Sequence, residues 1–234
     1  MSDRVAVVVG GAGAIGSAIV RQLRESGART ITLDVDVDVD VDVEGRDSDA
    51  IACDVRNAES VANAFARLER LDMVVYAAGI TRESVIWKLS VDDWDAIHAV
   101  NLRGAFLVLR EAIPIMRRGD GGSIVLIGSI NGSRGKRGTA AYSASKAGLV
   151  GLAKSVARET GRFGITVNVV EPGWVRTPMT EALPKNVQDA ALAETLLGTF
   201  AEPDDVAAMV TFLCSPAARR VTGQILRVDA GQLV

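Results

Sequence analysis

Short apolar runs separated by longer stretches of mixed polarity recur along the whole of this 234-residue chain. Runs at 5–9, 30–33, 51–53, 73–77, 123–129, 166–170 and 225–228 are brief and rich in valine, isoleucine and leucine, which predicts seven strands. Between them, apolar residues return every third or fourth position at 15–26, 58–68, 91–116, 140–161 and 204–214, the spacing that gives a helix one apolar face. Strands interleaved with helices predict an α/β chain, because parallel neighbours need a crossover and the crossover helix covers a face of the sheet. No linker-like stretch interrupts the pattern, so residues 1–234 read as a single domain.

One segment departs from both periods. From Asp34 to Val43 aspartate and valine alternate without a break, a period of two that gives an extended chain an acidic face and a valine face. Valine and aspartate are poor helix formers, so any helix between the second and third strands is expected to be short or missing. Alternating carboxylates resemble a cation loop, but the glycine and closing glutamate of such a loop are missing, and no metal site is assigned.

The first strand runs into Gly10-Gly11-Ala12-Gly13-Ala14-Ile15-Gly16 and then into an apolar-periodic helix. Glycines there let backbone N–H groups approach a pyrophosphate, and the start of the helix adds the positive end of its dipole. Gly10, Gly13, Ala14, Ile15 and Gly16 are therefore the candidate phosphate cradle of a Rossmann-type, doubly wound, seven-stranded parallel sheet with helices on both faces. Its ligand crevice should lie beyond the carboxyl ends of the strands, where Gly79, Ser129 and Pro172-Gly173 fall. Asp34 closes the second strand. A carboxylate there accepts hydrogen bonds from both adenosine ribose hydroxyls and repels a 2′-phosphate, so NAD is expected over NADP.

Tyr142 and Lys146 stand one helical turn apart, and Ser129 ends the apolar run before them. Residues at i and i+4 share a helix face, so the Lys146 ammonium is expected near the Tyr142 phenol, favouring its ionised form. An unperturbed tyrosine, with a pKa of about 10, is seldom ionised at neutral pH, and proton transfer wants a group that titrates near working pH. The trio reads as proton-transfer machinery.

Composition narrows the field further. A formal net charge of −3 and a pI near 5.3 give no electrostatic footprint for nucleic acid. No apolar run reaches the roughly 20 residues of a membrane span, and the start lacks a signal-peptide pattern, so a cytoplasmic protein is expected. Cys53 and Cys214 are isolated in apolar settings and read as small core residues. His98 is the only histidine and no nucleophile elbow accompanies it, which removes the usual serine-hydrolase arrangement.

Taken together these residues resemble the short-chain dehydrogenase/reductase family over nearly the whole chain. Val9-Gly10-Gly11-Ala12-Gly13-Ala14-Ile15-Gly16 is similar to its Thr-Gly-x-x-x-Gly-x-Gly, and Cys53-Asp54-Val55 to the segment that brackets the adenine. Tyr76-Ala77-Ala78-Gly79 stands where the family has Asn-Asn-Ala-Gly, so a strand-supporting hydrogen bond is lost with both asparagines. The resemblance implies a catalytic set of Asn101, Ser129, Tyr142 and Lys146. Lys146 would also bond the nicotinamide ribose, and Asn101 would hold a water in a relay to Lys146, or else simply kink its helix. Pro172, Gly173, Val175 and Thr177 match the loop that holds the nicotinamide carboxamide, with Ala78 and Gly79 on the opposite strand end.

The implied activity is hydride transfer between a dinucleotide, NAD(H), and a secondary alcohol or ketone. Gly79-Ile80-Thr81-Arg82, Trp87-Lys88-Leu89, Trp94-Asp95 and Val221-Thr222-Gly223-Gln224 resemble the branch that reduces 3-oxoacyl carrier-protein and acetoacetyl-CoA thioesters, so a 3-oxoacyl or related hydrophobic substrate is expected. The rivals are an NADPH-dependent 3-oxoacyl carrier-protein reductase and, in another class, a silent dinucleotide-binding regulator. Residues 179–200 are the expected substrate lid, lined by Leu183, Leu192, Leu196, Leu197 and Phe200. Arg134, Lys136 and Arg137 could dock an acidic carrier. The family commonly forms homotetramers through the helices at 91–116 and 140–161, with Ala105, Ala112, Ala147, Leu149, Leu152 and Ala153 available to pack on a partner.

Overall fold

The computed structural model describes residues 3–35 and 49–234. The alternating run beyond Val35 lies outside them, and with it the expectation of a shortened helix there. Seven strands, β1 (Val5–Val9), β2 (Arg29–Asp34), β3 (Ala50–Ala52), β4 (Met73–Tyr76), β5 (Gly122–Ile127), β6 (Ile165–Pro172) and β7 (Ile225–Val228), form one sheet. Every pairing is parallel and the order is β3-β2-β1-β4-β5-β6-β7, so the winding reverses between β1 and β4. At such a reversal the loops leave in opposite directions and open a crevice beyond the strand ends.

The sheet is buried on both faces, as alternate residues of single strands show. Val7, Val9, Val74 and Tyr76 join the apolar layer under α2 (Ala58–Phe65), α4 (Ala105–Arg118) and α6 (Ala140–Thr160). Ala6, Val8, Met73 and Val75 face the layer under α1 (Ala14–Glu25) and α9 (Pro203–Cys214). Continuous valine and isoleucine runs are what a doubly covered strand requires. Cys53 and Cys214 are buried thiols within these layers, as the sequence indicated.

One expected helix and one expected strand differ in detail. The helix over 91–116 is three pieces: α3 (Val91–His98), a π-helical turn (Ala99–Gly104) and α4, which runs on to Arg118. The apolar run at 123–129 stops as a strand at Ile127, and Ser129 instead caps a five-residue helix, α5 (Ile130–Arg134), by accepting the Asn131 N–H at 3.2 Å. The segment at 179–200 holds most of α7 (Pro178–Glu181) and all of α8 (Lys185–Ala193). No helix among the described residues is long and apolar enough to cross a membrane.

Candidate active site

The glycine turn after β1 is seated against the end of β4. Gly10 has φ +80°, a conformation that suits glycine, and a methyl group on it would collide with the Ala77–Ala78 backbone. A methyl on Gly16 would overlap the Gly10 carbonyl. Gly13 is different: a methyl there meets only the Gly10 carbonyl at 3.6 Å, an ordinary contact. Packing among the described residues therefore does not exclude a side chain there. α1 then begins with no acidic residue in its first turn and no side-chain cap, leaving Ala14 and Ile15 at an end suited to an anion.

Asp34 stands at the rim of this turn. Its Oδ2 accepts the Ala12 N–H at 3.0 Å and its Oδ1 accepts the Val35 N–H at 2.8 Å. Asp54 is held by its neighbour: Arg56 donates to both carboxylate oxygens, a paired geometry that keeps the Asp54 carboxyl below its ordinary range. Val55 is buried beside Gly104.

The residues that the sequence nominates for proton transfer converge at the carboxyl ends of β4 and β5. Lys146 is 3% exposed, its Nζ donates to the Ile127 carbonyl at 2.8 Å, and it lies 5.6 Å from the centre of the Tyr142 ring. Burial lowers its pKa to about 8. The Tyr142 phenol is shifted upward by burial, and the Ser129 hydroxyl opposes that shift. The direction is opposite to the sequence expectation, because burial outweighs the partner that favours phenolate, and that partner is Ser129. A methyl on Gly79 would lie 3.2 Å from Lys146 Nζ and 3.5 Å from Asn101 Oδ1, so this glycine occupies the ground between them.

Asn101 is fully buried in the π-helical turn. Its Oδ1 accepts the Ile80 N–H at 2.8 Å, and its Nδ2 donates to the Ile80 carbonyl and to Ser145 Oγ, both at 3.0 Å. Both amide hydrogens are thereby spent on protein. Ser145 was not anticipated, though it lies at i+3 from Tyr142 and bonds that residue's carbonyl at 2.7 Å.

On the far wall, Gly173 N donates to the Val228 carbonyl at 3.0 Å, and Val175 is buried beneath the loop that follows Pro172. The Thr177 hydroxyl accepts the Thr180 N–H at 3.3 Å and so caps α7. Gln232, also unanticipated, accepts the Trp174 N–H at 2.5 Å and reaches Ala191 O and Glu194 Oε2 at 3.4 Å, linking this loop to α8 and its end. Leu196 and Leu197 are exposed on the lid segment, whereas Phe200 is buried against the Trp174 ring at 5.4 Å. Arg134 bridges to Glu194 at 2.7 Å and Lys136 lies over Trp174. Ala105, Ala112, Leu149 and Ala153 are buried in the chain's own core and cannot serve a partner, which leaves Ala147, the partly buried Leu152 and the half-exposed Phe106 on the long helices.

Residues 10–232 match the family described as enoyl-(acyl carrier protein) reductase. A 3-oxoacyl-[acyl-carrier-protein] reductase of Rickettsia bellii is 37% identical over 100% of this chain and 98% of its own length. The chain is a short-chain dehydrogenase/reductase. Among its relatives, an acetoacetyl-CoA reductase of Synechocystis is 39% identical over 98% of this chain and 96% of its own. The crystal structure of gox2181 superposes with a TM-score of 0.94 at 38% identity, covering 99% of this chain and 96% of that one. As a member of this family the chain is an NAD(P)-dependent oxidoreductase acting on CH–OH groups.

Proposed function

We propose that this short-chain dehydrogenase/reductase interconverts a 3-oxoacyl and a 3-hydroxyacyl thioester with NAD(H), using Ser129, Tyr142 and Lys146 beside Asn101. The observation that carries the reading is the convergence of a buried serine hydroxyl and a buried lysine on a half-buried phenol, the lysine on the same helix face. The thioester class draws support from the relatives, whose names share a 3-oxoacyl group.

The cradle fits a dinucleotide, since Gly13 leaves open space that none of the described residues fills and α1 begins without an acid. Gly10, Gly13, Ala14, Ile15 and Gly16 would hold its pyrophosphate, Asp34 its ribose, Asp54 and Val55 its adenine. Ala78, Gly79, Lys146, Pro172, Gly173, Val175 and Thr177 would hold its nicotinamide half. When bound it supplies the hydride donor or acceptor. Tyr142 gives its phenolic proton to the substrate oxygen in reduction and takes it back in oxidation. Ser129 hydrogen-bonds the same oxygen and stabilises its developing charge. Lys146, charged below about pH 8, returns the proton to Tyr142 and is resupplied from the Asn101 side, across Gly79.

Support for NAD comes from the Asp34 carboxylate at the rim, where a 2′-phosphate would meet a like charge. The relatives named for acyl carrier protein favour a second reading, a carrier-protein reductase using NADPH. Parallel assays of acetoacetyl-CoA reduction with NADH and NADPH test the choice: a clear NADH preference supports the first reading, and a clear NADPH preference removes it. We also infer a homotetramer, with Phe106 and Ala147 meeting a second copy; light scattering on the eluting protein checks the mass.

A further inference from the structure

Tyr76 is the last residue of β4, paired with Val9 on one side and Leu126 on the other, and it is fully buried. Proton transfer as described makes no use of it. Its hydroxyl donates to the Val100 carbonyl at 2.5 Å. That carbonyl belongs to the peptide joining Val100 to Asn101, so the bond fixes the plane from which the Asn101 side chain departs.

The fit is two-sided. Residues 99–104 form a π turn, a wide and uncommon geometry that outside contacts must hold. A methyl on Gly104 would overlap the Tyr76 phenol oxygen and stand 3.0 Å from Val55 Cβ, so the turn comes this close only because residue 104 has no side chain. Burial also pushes the Tyr76 phenol up from its ordinary range, keeping the hydroxyl protonated and able to donate. The neighbouring strand end carries Ala77 and Ala78, with no side-chain donor of their own.

We propose that Tyr76 is a positioning residue for Asn101: its hydroxyl, together with the bare backbone at Gly104, holds the π turn where the Asn101 amide meets Ile80 and Ser145 and its oxygen faces Lys146 across Gly79. The proposal rests on the proton-transfer reading of the site. It replaces a tie between side chain and backbone that the sequence had marked as lost, and uses a phenol from the core to make it.

The test compares Tyr76→Phe, Gly104→Ala and the double variant in the full-length enzyme, with Asn101→Ala as reference. Acetoacetyl-CoA reduction, dinucleotide binding by fluorescence and the solvent deuterium isotope effect on kcat are read together. Tyr76→Phe is expected to leave KM and dinucleotide affinity within about twofold, lower kcat about tenfold and raise the isotope effect, as a displaced relay group does. Gly104→Ala should lose more, and Tyr76→Phe/Gly104→Ala should regain part of that loss, because the oxygen the methyl collides with is gone while its close contact with Val55 remains. Wild-type kcat and isotope effect in Tyr76→Phe, or a double variant no better than Gly104→Ala, would overturn the positioning role. Asn101→Ala turning over at the wild-type rate would sink both this role and the site reading beneath it.

Discussion

The Asp34 carboxylate accepts the Ala12 backbone N–H at 3.0 Å, fastening the end of β2 to the glycine turn that follows β1. The negative charge is thereby held at the rim of the cradle instead of swinging into solvent. Asp34→Ala is expected to raise kcat/KM with NADPH by about tenfold or more, on the order of one charge repulsion at a partly exposed site, while lowering it with NADH. Paired steady-state assays read this directly, and a variant with an unchanged NADPH-to-NADH ratio removes Asp34 from cofactor choice.

Ser129 is the partner that lowers the Tyr142 pKa against the effect of burial. A hydrogen bond to the phenolate favours the charged form, so removing it raises the pKa. Ser129→Ala should move the alkaline rise of oxidative kcat/KM to higher pH and cost on the order of 10²-fold in rate. A pH profile displaced the other way contradicts this.

Lys146 titrates at about 8 in the folded chain because burial disfavours its charge. Below pH 8 it is charged in both folded and unfolded chain, and its burial opposes folding in full. Between pH 8 and the ordinary lysine range, about 10.4, the folded chain gives up its proton first, so the penalty shrinks as pH rises. The gain in melting temperature from Lys146→Met in the dinucleotide-free protein should therefore be largest near pH 7 and smaller at pH 10. A gain independent of pH refutes the depressed pKa.

Gly79 keeps the space between Lys146 Nζ and Asn101 Oδ1 open. Gly79→Ala should cost about tenfold or more in kcat, the scale of a small misplacement in a proton path, with little change in thermal stability. Full activity in this variant shows that nothing passes between the two groups there.

Much of this was legible in the chain. Strand runs and helical periodicity marked the seven strands because both faces of the sheet are covered and each strand is continuously apolar. The π turn was not legible: Ala99–Gly104 follows a helical pattern, and its geometry depends on a phenol from β4 more than twenty positions earlier. α5 was missed because Ile-Asn-Gly-Ser-Arg has little helical preference. Tertiary contacts hold it, with Ser133 donating to the buried Glu171 carboxylate at 3.0 Å and Gly132 against the Lys146 backbone. Gln232 escaped notice for the same reason, since its partners Trp174 and Glu194 come from distant segments. The Tyr142–Lys146 spacing revealed the shared face, but burial, which sequence spacing does not report, decides which way the phenol shifts.

In the proposed mechanism the Tyr142 phenol carries the proton exchanged with the substrate oxygen. Acetoacetyl-CoA reduction by Tyr142→Phe, measured beside dinucleotide binding in the same preparation, tests it most directly. Turnover should fall by on the order of 10² to 10⁴ with dinucleotide affinity held within about twofold; turnover at the wild-type rate would contradict the mechanism.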